Sequence, residues 1–229
     1  MAAVTSRQKT VGRKAVGRKE DAPGERPGAP HPPPVEILLR VWPPALATLA
    51  TAQEVGTDHR LEVKYDGFRA LAGLSGGVVT LQSRNGLDLA ARFPSAARAL
   101  AKVAVGEAAL DGELVSEAGF QGLHDGASLR YVVFDLLWLE GEDLRARPVE
   151  ERRDLLVTLL AAAPPGVDVA EEVPGPIAGA LARARREGWE GLVAKAAGSR
   201  YVGGRTRAWL KVKLSASQEL AVVGYTPLA

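Results

Sequence analysis

Cysteine is absent from the 229 residues, which excludes a disulfide framework, a thiol nucleophile and any zinc site built on thiolates. Long apolar runs are missing as well: nothing approaches the roughly eighteen consecutive apolar residues that cross a bilayer as a helix. The first nineteen residues carry scattered charges and no apolar stretch, so they do not read as a secretory signal. Histidine is scarce; His31, His59 and His124 stand far apart without the spacing of metal ligands. No P-loop, zinc-protease helix motif or EF-hand loop occurs. These absences point to a soluble cytoplasmic protein whose chemistry rests on lysine, arginine and carboxylates.

Net charge is small, +2 over the chain, but it is unevenly spread. Residues 1–35 hold seven Lys/Arg against three acids, a balance of +4 that leaves −2 for residues 36–229. A weak repeat, Val11-Gly12-Arg13-Lys14-Ala15 then Val16-Gly17-Arg18-Lys19-Glu20, leads into Pro30-His31-Pro32-Pro33-Pro34. So few apolar side chains cannot offset the entropy of ordering, and the composition predicts a disordered basic and proline-rich tail over 1–35. Such a tail reads either as a solubilising leader or as a flexible arm attracted to nucleic-acid phosphate. The globular domain is expected over 36–229.

Within that domain the patterning alternates between strands and a few helices. Arg60 to Val63 and Phe68 to Leu74 read as strands joined in a hairpin by Asp66-Gly67, and Gly76-Gly77 as a turn into the strand Val78 to Ser83. Pro94 to Val103, Pro148 to Leu160 and Pro176 to Glu187 have helical spacing, the last ended by Gly188. Ala109 to Val115, Tyr131 to Leu139, Glu190 to Lys195, Trp209 to Lys213 and Glu219 to Tyr225 read as further strands. The fold class expected is α+β, antiparallel sheets flanked by helices. Gly73-Leu74-Ser75-Gly76-Gly77 matches the G-x-S-x-G nucleophile elbow, but that elbow needs a helix after the serine, and here a strand follows.

Several polar motifs follow one another in order. Lys64-Tyr65-Asp66-Gly67-Phe68-Arg69 places a lysine at a strand end, with a carboxylate, a turn glycine and an arginine after it. A lysine nucleophile needs nearby positive charge to keep its amine partly neutral, which Arg69 and the basic strand Lys211-Val212-Lys213 are expected to supply. Asp111-Gly112-Glu113-Leu114, read as a strand end, and Glu190-Gly191-Leu192-Val193-Ala194-Lys195 carry carboxylates suited to a divalent metal that bridges phosphate oxygens. Taken singly, each is as readily a solvated turn. Their order is more specific: K-x-D-G-x-R, S-R-N-G at Ser83 to Gly86, D-G-E, the aromatic strand Phe134-Asp135-Leu136-Leu137-Trp138-Leu139, E-G-x-x-x-K, and W-L-K-V-K at Trp209 to Lys213.

In that order the motifs resemble the adenylation (nucleotidyltransferase) domain of ATP-dependent DNA ligases, and within it the ligase module of bacterial non-homologous end-joining ligases. The resemblance runs from about Pro43 to Tyr225 and includes Val223-Gly224-Tyr225-Thr226. It implies a nucleotidyltransferase (ATP-grasp-like) fold, ATP with Mg²⁺ or Mn²⁺ as cofactors, and nicked or broken duplex DNA as substrate in repair. It also implies that Lys64 attacks the α-phosphorus of ATP to give lysyl-AMP, with AMP then passing to a 5′-phosphate. Glu62 would read the adenine and Phe134 stack on it, while Asp66 orients the reacting groups. Arg69 and Arg84 would hold phosphate or nick ends, and Glu113 the ribose or a metal. Glu190 would bind the metal, and Lys211 and Lys213 the α-phosphate. Lys195 reads as a partner of a carboxylate, outside the catalytic set.

Two departures from the family pattern carry expectations. The stretch between Glu113 and Tyr131 is compact, so DNA contacts made by the longer linker of similar modules do not carry over. The sequence also stops at Ala229, short of the OB-fold domain that normally follows. Weak self-adenylation is therefore expected, with sealing of a pre-adenylated nick retained and the OB fold or end-joining proteins (an end-binding protein, polymerase or nuclease) as separate partners. A cytoplasmic, nucleoid-associated location accompanies that reading. The alternatives are an RNA ligase or capping-type nucleotidyltransferase, and a non-catalytic DNA-end binding module.

Overall fold

Ten strands, three α-helices and a short 3-10 helix (Ala52–Glu54) are the named elements in the described part of the computed structural model, which covers residues 42–117, 119, 122–123 and 129–214. The tail assigned to 1–35, His31, His124 and the strand expected over Glu219 to Tyr225 lie outside the described residues. All described residues belong to one unit of the chain. Among them, no helix is long and apolar enough to cross a membrane.

The strands fall into two sheets. In the first, β1 (Ala45–Leu49), β10 (Gly204–Lys213), β9 (Gly191–Ala196) and β2 (His59–Lys64) lie in that spatial order. In the second the order is β4 (Val78–Ser83), β3 (Phe68–Ser75), β5 (Glu107–Ser116), β6 (Leu129–Leu139) and the two-residue β7 (Glu142–Asp143), with β8 (Val167–Val169) beside β6. Most pairings are antiparallel, as the sequence led one to expect, but β1 runs parallel to β10 and β8 parallel to β6. The helices are α1 (Pro94–Leu100), α2 (Val149–Leu159) and α3 (Ile177–Glu187). The residue after α3, Gly188, takes the left-handed conformation that stops a helix.

Two local expectations fail for physical reasons. Asp66-Gly67 does not close a hairpin, because β2 pairs with β9 and β3 pairs with β4 and β5. The dipeptide instead carries the chain from one sheet to the other across β5. A Cβ on Gly67 would stand 2.0 Å from the Leu114 carbonyl oxygen, so the crossing requires glycine. Likewise Asp111 to Leu114 is the interior of β5, not its end. Gly76-Gly77, by contrast, is a true two-residue hairpin turn with both φ angles positive, 55° and 82°, which removes the nucleophile-elbow reading of Ser75.

Side chains divide into three main apolar clusters. One fills the space between the second sheet and α1 and α2, and includes Phe93, Leu100, Leu110, Tyr131 and Leu156. Another packs α3 on the first sheet through Ala180, Leu181 and Ala184 against Leu61, Leu192 and Leu210. The third joins the two sheets and is half aromatic: Trp42, Trp138, Tyr201 and Trp209 with Ala45, Leu71, Ala109 and Leu137. Full burial of side chains this size contributes about 1.5–3 kcal/mol each. The third cluster forms the floor on which the site is built.

Candidate active site

Strand alternation puts one row of polar side chains on one face of the first sheet. Glu62 pairs with Val193, and Val193 with Lys211; two residues further along, Lys64 pairs with Gly191, and Gly191 with Lys213. Stepping two residues the other way brings Lys195 opposite Trp209. Because residues i and i+2 share a face, Glu62, Lys64, Lys195, Trp209, Lys211 and Lys213 all point the same way. β9 and β10 approach closely at this row: a Cβ on Gly191 would lie 2.1 Å from the Val212 carbonyl oxygen.

Glu190, just before β9 and not within it, bridges two of these lysines. It accepts a hydrogen bond from Lys64 Nζ and lies 2.9 Å from Lys213 Nζ. Burial alone would push the Glu190 carboxyl up, but the two ammonium groups outweigh it and hold the group below the usual carboxylate range. Lys213 is held above its usual value by the same contact. Lys211 moves down, first from burial and then from the positive charges of Lys213, Lys64 and Arg205. The field expected around Lys64 is therefore present, but it comes from the lysine row and is offset by Glu190.

Arg69, expected to contribute to that field, is committed elsewhere. Its Nε and Nη2 donate to the two Asp111 oxygens at 2.7 and 2.5 Å, and Nη2 also donates to the Ala45 carbonyl at 2.9 Å. Burial works against the charge on Arg69, and Asp111 more than restores it. Asp111, fully buried, accepts a further hydrogen bond from the Tyr201 hydroxyl at 2.6 Å, and that hydroxyl accepts one from the Ala45 N–H. Opposite Arg69 on β5 stands Glu113. Burial pushes the Glu113 carboxyl up to about 7, despite Arg69 and Lys64, and the nearby Asp111 and Glu190 add to the rise.

Phe134 reaches the same space through an irregularity in β6. Asp111 pairs with Asp135 and Gly112 with Val133, so Phe134 has no partner in β5. A bulge of this kind re-aims a side chain. The Phe134 ring lies 4.7 Å from the Arg69 guanidinium carbon and edge-on to Trp209, centroids 6.1 Å apart. Its carbonyl, left out of the ladder to β5, accepts a hydrogen bond from Lys195 Nζ at 2.6 Å. Lys195 is 1% exposed and pairs with Glu62 at 2.9 Å.

Between the two sheets these groups line a cleft of about 220 Å³. Of the residues singled out in the sequence, Glu62, Lys64, Arg69, Arg84, Glu113, Phe134 and Lys211 face it. Glu190 and Lys213 sit beside its lysine end, while Asp66 is exposed and does not line it. Trp209, Lys195, Tyr65 and Arg205 also line the cleft without having been assigned to it. Trp209 and Lys195 lay within quoted motifs, where alternation from Lys211 and from Val193 marks them for the same face. Arg205 and Tyr65 carried no comparable signal.

Both ends of the cleft have a distinct chemistry. Phe134, Trp209 and Glu62, the last paired with Lys195, make an aromatic and hydrogen-bonding end of the kind that holds a base. Lys64, Lys211 and Lys213 make a cationic end suited to phosphate, and Arg84 adds a further cation to the cleft lining. Among the described residues no group of three or more carboxylates and histidines forms a complete metal cage. A Mg²⁺-like ion needs only one or two carboxylates when phosphates and water complete its shell, and Glu113 with Glu190 fits that donor set.

A base-and-phosphate cleft between two antiparallel-rich sheets, with a lysine at its cationic end, defines a nucleotide-binding domain of the nucleotidyltransferase kind. The family model described as "ATP dependent DNA ligase domain" matches residues 44–213, and the chain belongs to that family. The multifunctional non-homologous end joining protein LigD of Pseudomonas aeruginosa is 37% identical over 202 residues, covering 80% of this chain and 23% of that protein. LigD of Mycobacterium bovis is 37% identical over 193 residues, 80% of this chain and 25% of the relative. The chain thus spans about a quarter of the length of these curated relatives. Among solved structures, mycobacterial DNA ligase D complexed with ATP and MES superposes with a TM-score of 0.67 at 36% identity, over 75% of this chain and 60% of that one. The ligase domain of M. tuberculosis LigD gives 0.66 at 36% identity, over 75% and 59%.

Proposed function

We propose that residues 36–229 form the catalytic domain of an ATP-dependent DNA ligase acting on nicks or breaks in end-joining repair. The observation that carries the proposal is the lysine row: Lys64 on β2 and Lys211 and Lys213 on β10, on either side of β9, with Glu190 bridging Lys64 and Lys213, at the end of the cleft away from Phe134. ATP would lie with its adenine against Phe134 and beside Glu62, and with its α-phosphate toward Lys64. The Lys64 amine forms a P–N bond to the α-phosphorus as the bond to the β-phosphate oxygen breaks, and pyrophosphate leaves. AMP then passes from Lys64 to the 5′-phosphate of the nick, and the 3′-hydroxyl displaces it to close the strand.

Lys211 and Lys213 neutralise charge that builds on the phosphoryl oxygens, the main way proteins accelerate such transfers. A divalent ion held by Glu113 and Glu190 would supply further charge neutralisation at phosphate oxygens. It would also compete for the Glu190 carboxylate that otherwise pairs with Lys64. Arg84, exposed at the cleft mouth, is suited to a DNA phosphate. Arg69 supports the Phe134 ring from below, and its phosphate role requires release from Asp111.

Incubating the chain with α-labelled ATP and Mg²⁺ or Mn²⁺, then resolving it on a denaturing gel, tests the reading. Wild type is expected to retain acid-sensitive label and Lys64→Ala none; nicked duplex should then be converted to sealed product. A chain that binds nicked duplex, takes no label and fails to seal a pre-adenylated nick is a binding module instead, and GTP labelling in preference to ATP marks a capping-type enzyme.

A further inference from the structure

We infer that Lys195 is a positioning residue that makes the cleft selective for a 6-amino purine by holding the Glu62 carboxylate in place as an acceptor; this rests on the nucleotide-binding reading above. The amine sits at the junction of the two sheets. It is 2.9 Å from Glu62 Oε2 on the neighbouring strand, and it donates across the cleft floor to the Phe134 carbonyl at 2.6 Å. The Trp209 and Phe134 rings lie 4.5 and 5.3 Å from it. Lys195 and Glu62 are 1% and 4% exposed and both line the cleft. One ammonium therefore fixes the carboxylate at the base end and the backbone of the ring on which a base stacks.

The chemistry of selection follows from the charge on Glu62. A carboxylate only accepts hydrogen bonds, so it matches the 6-amino donor of adenine and opposes the 6-oxo acceptor of guanine. Without the Lys195 ammonium the Glu62 carboxylate loses the contact that fixes its direction, so it no longer meets a 6-amino donor, or opposes a 6-oxo acceptor, in one set geometry. Lys195 thus acts through Glu62, without contact to the base, and its loss should change the ratio of affinities more than their general level.

Equilibrium binding of ATP, GTP and purine riboside triphosphate, which lacks the 6-amino group, tests this with the whole chain held in EDTA. The variants are Lys195→Met, Glu62→Gln and the double substitution, each checked for folding by circular dichroism. Wild type is expected to prefer ATP over GTP by at least about 10²-fold, since a site built to hydrogen-bond a group can discriminate by as much as about 10⁴–10⁵. In Lys195→Met the preference should fall to within about threefold, and the penalty for removing the 6-amino group should shrink with it. The double variant, which leaves no unpaired buried charge, should match Glu62→Gln and so keeps the test alive where the single lysine variant does not fold. A wild-type ATP preference retained in Lys195→Met overturns the inference, as does a double variant whose preference falls a further tenfold below that of Glu62→Gln. Failure of wild type to bind ATP at all would overturn the nucleotide-binding reading, and this inference with it.

Discussion

A carboxyl group whose ionisation waits until about pH 7 ties one residue to the stability of the whole chain. Burial raises Glu113 to about 7 from an ordinary value of 4.5, so between those values the folded state binds a proton that the unfolded chain has released. Stability from this group is fully present below about pH 4.5 and is lost as pH rises toward 7, a loss on the order of 3 kcal/mol. Glu113→Gln, which cannot ionise, should therefore melt several degrees above wild type at pH 8 in EDTA, with little difference at pH 5. Melting curves at the two pH values check this, and an equal shift at both would show that the charge is irrelevant. Mg²⁺ should raise the wild-type midpoint at pH 8 more than that of the variant, because it favours the ionised carboxylate.

Single residues were also where the sequence was most legible. Lys64, Glu113, Phe134 and Lys211 reach one cleft because ordered motifs carry information that no single residue does. Asp111, read with Glu113 as a carboxylate suited to a metal, is instead bound to Arg69 and Tyr201, and Tyr201 escaped assignment because its hydroxyl matters only once folding brings it to Asp111, ninety positions away in sequence. Arg69 lines the cleft, yet its charge is already committed to Asp111, a fact that depends on burial and not on spacing.

At the scale of elements, periodicity located β4 with the bounds it has and the other long strands and helices to within three residues, except β10, which begins at Gly204, five residues before the expected Trp209. It missed β1, whose alanine-rich Ala45–Leu49 shows little β-branching and is held by a parallel partner about 160 residues away. The contacts of glycines were equally hidden, and they make two opposite predictions. Gly191→Ala would drive a Cβ to 2.1 Å from the Val212 oxygen and force β9 from β10. It should cost more than about 2 kcal/mol and displace Glu190, lowering adenylation as well. Gly179→Ala, inside α3 with open space around the new Cβ, should instead stabilise by about 0.5–1 kcal/mol. Urea unfolding of both variants, with adenylation rates beside it, separates strand packing from helix propensity.

The whole molecule depends on charged groups sealed where the sheets, α2 and the loop after β9 converge. Arg152 is completely buried, although it lies on a helix whose other inward residues, Val149 and Leu156, are apolar. Its Nε and Nη2 donate to both Asp135 oxygens at 2.7 and 2.9 Å, while Nη1 donates to the Arg147 and Ser199 carbonyls at 2.6 and 3.0 Å. One side chain thereby joins α2 to β6, to the turn before the helix and to the loop leading into Tyr201. Asp135 directly follows the bulged Phe134, so this anchor also fixes the strand from which that ring projects. Removing the guanidinium alone leaves a buried carboxylate without its cation, and Arg152→Met should cost about 3–5 kcal/mol. Replacing both partners, as in Asp135→Asn with Arg152→Met, removes that uncompensated charge and should recover at least half of the loss. Denaturant unfolding of wild type, both single variants and the double gives the coupling directly. Additive losses would mean that Arg152 works through its carbonyl contacts instead, and would make the loop at Ser199, not β6, the element that it holds.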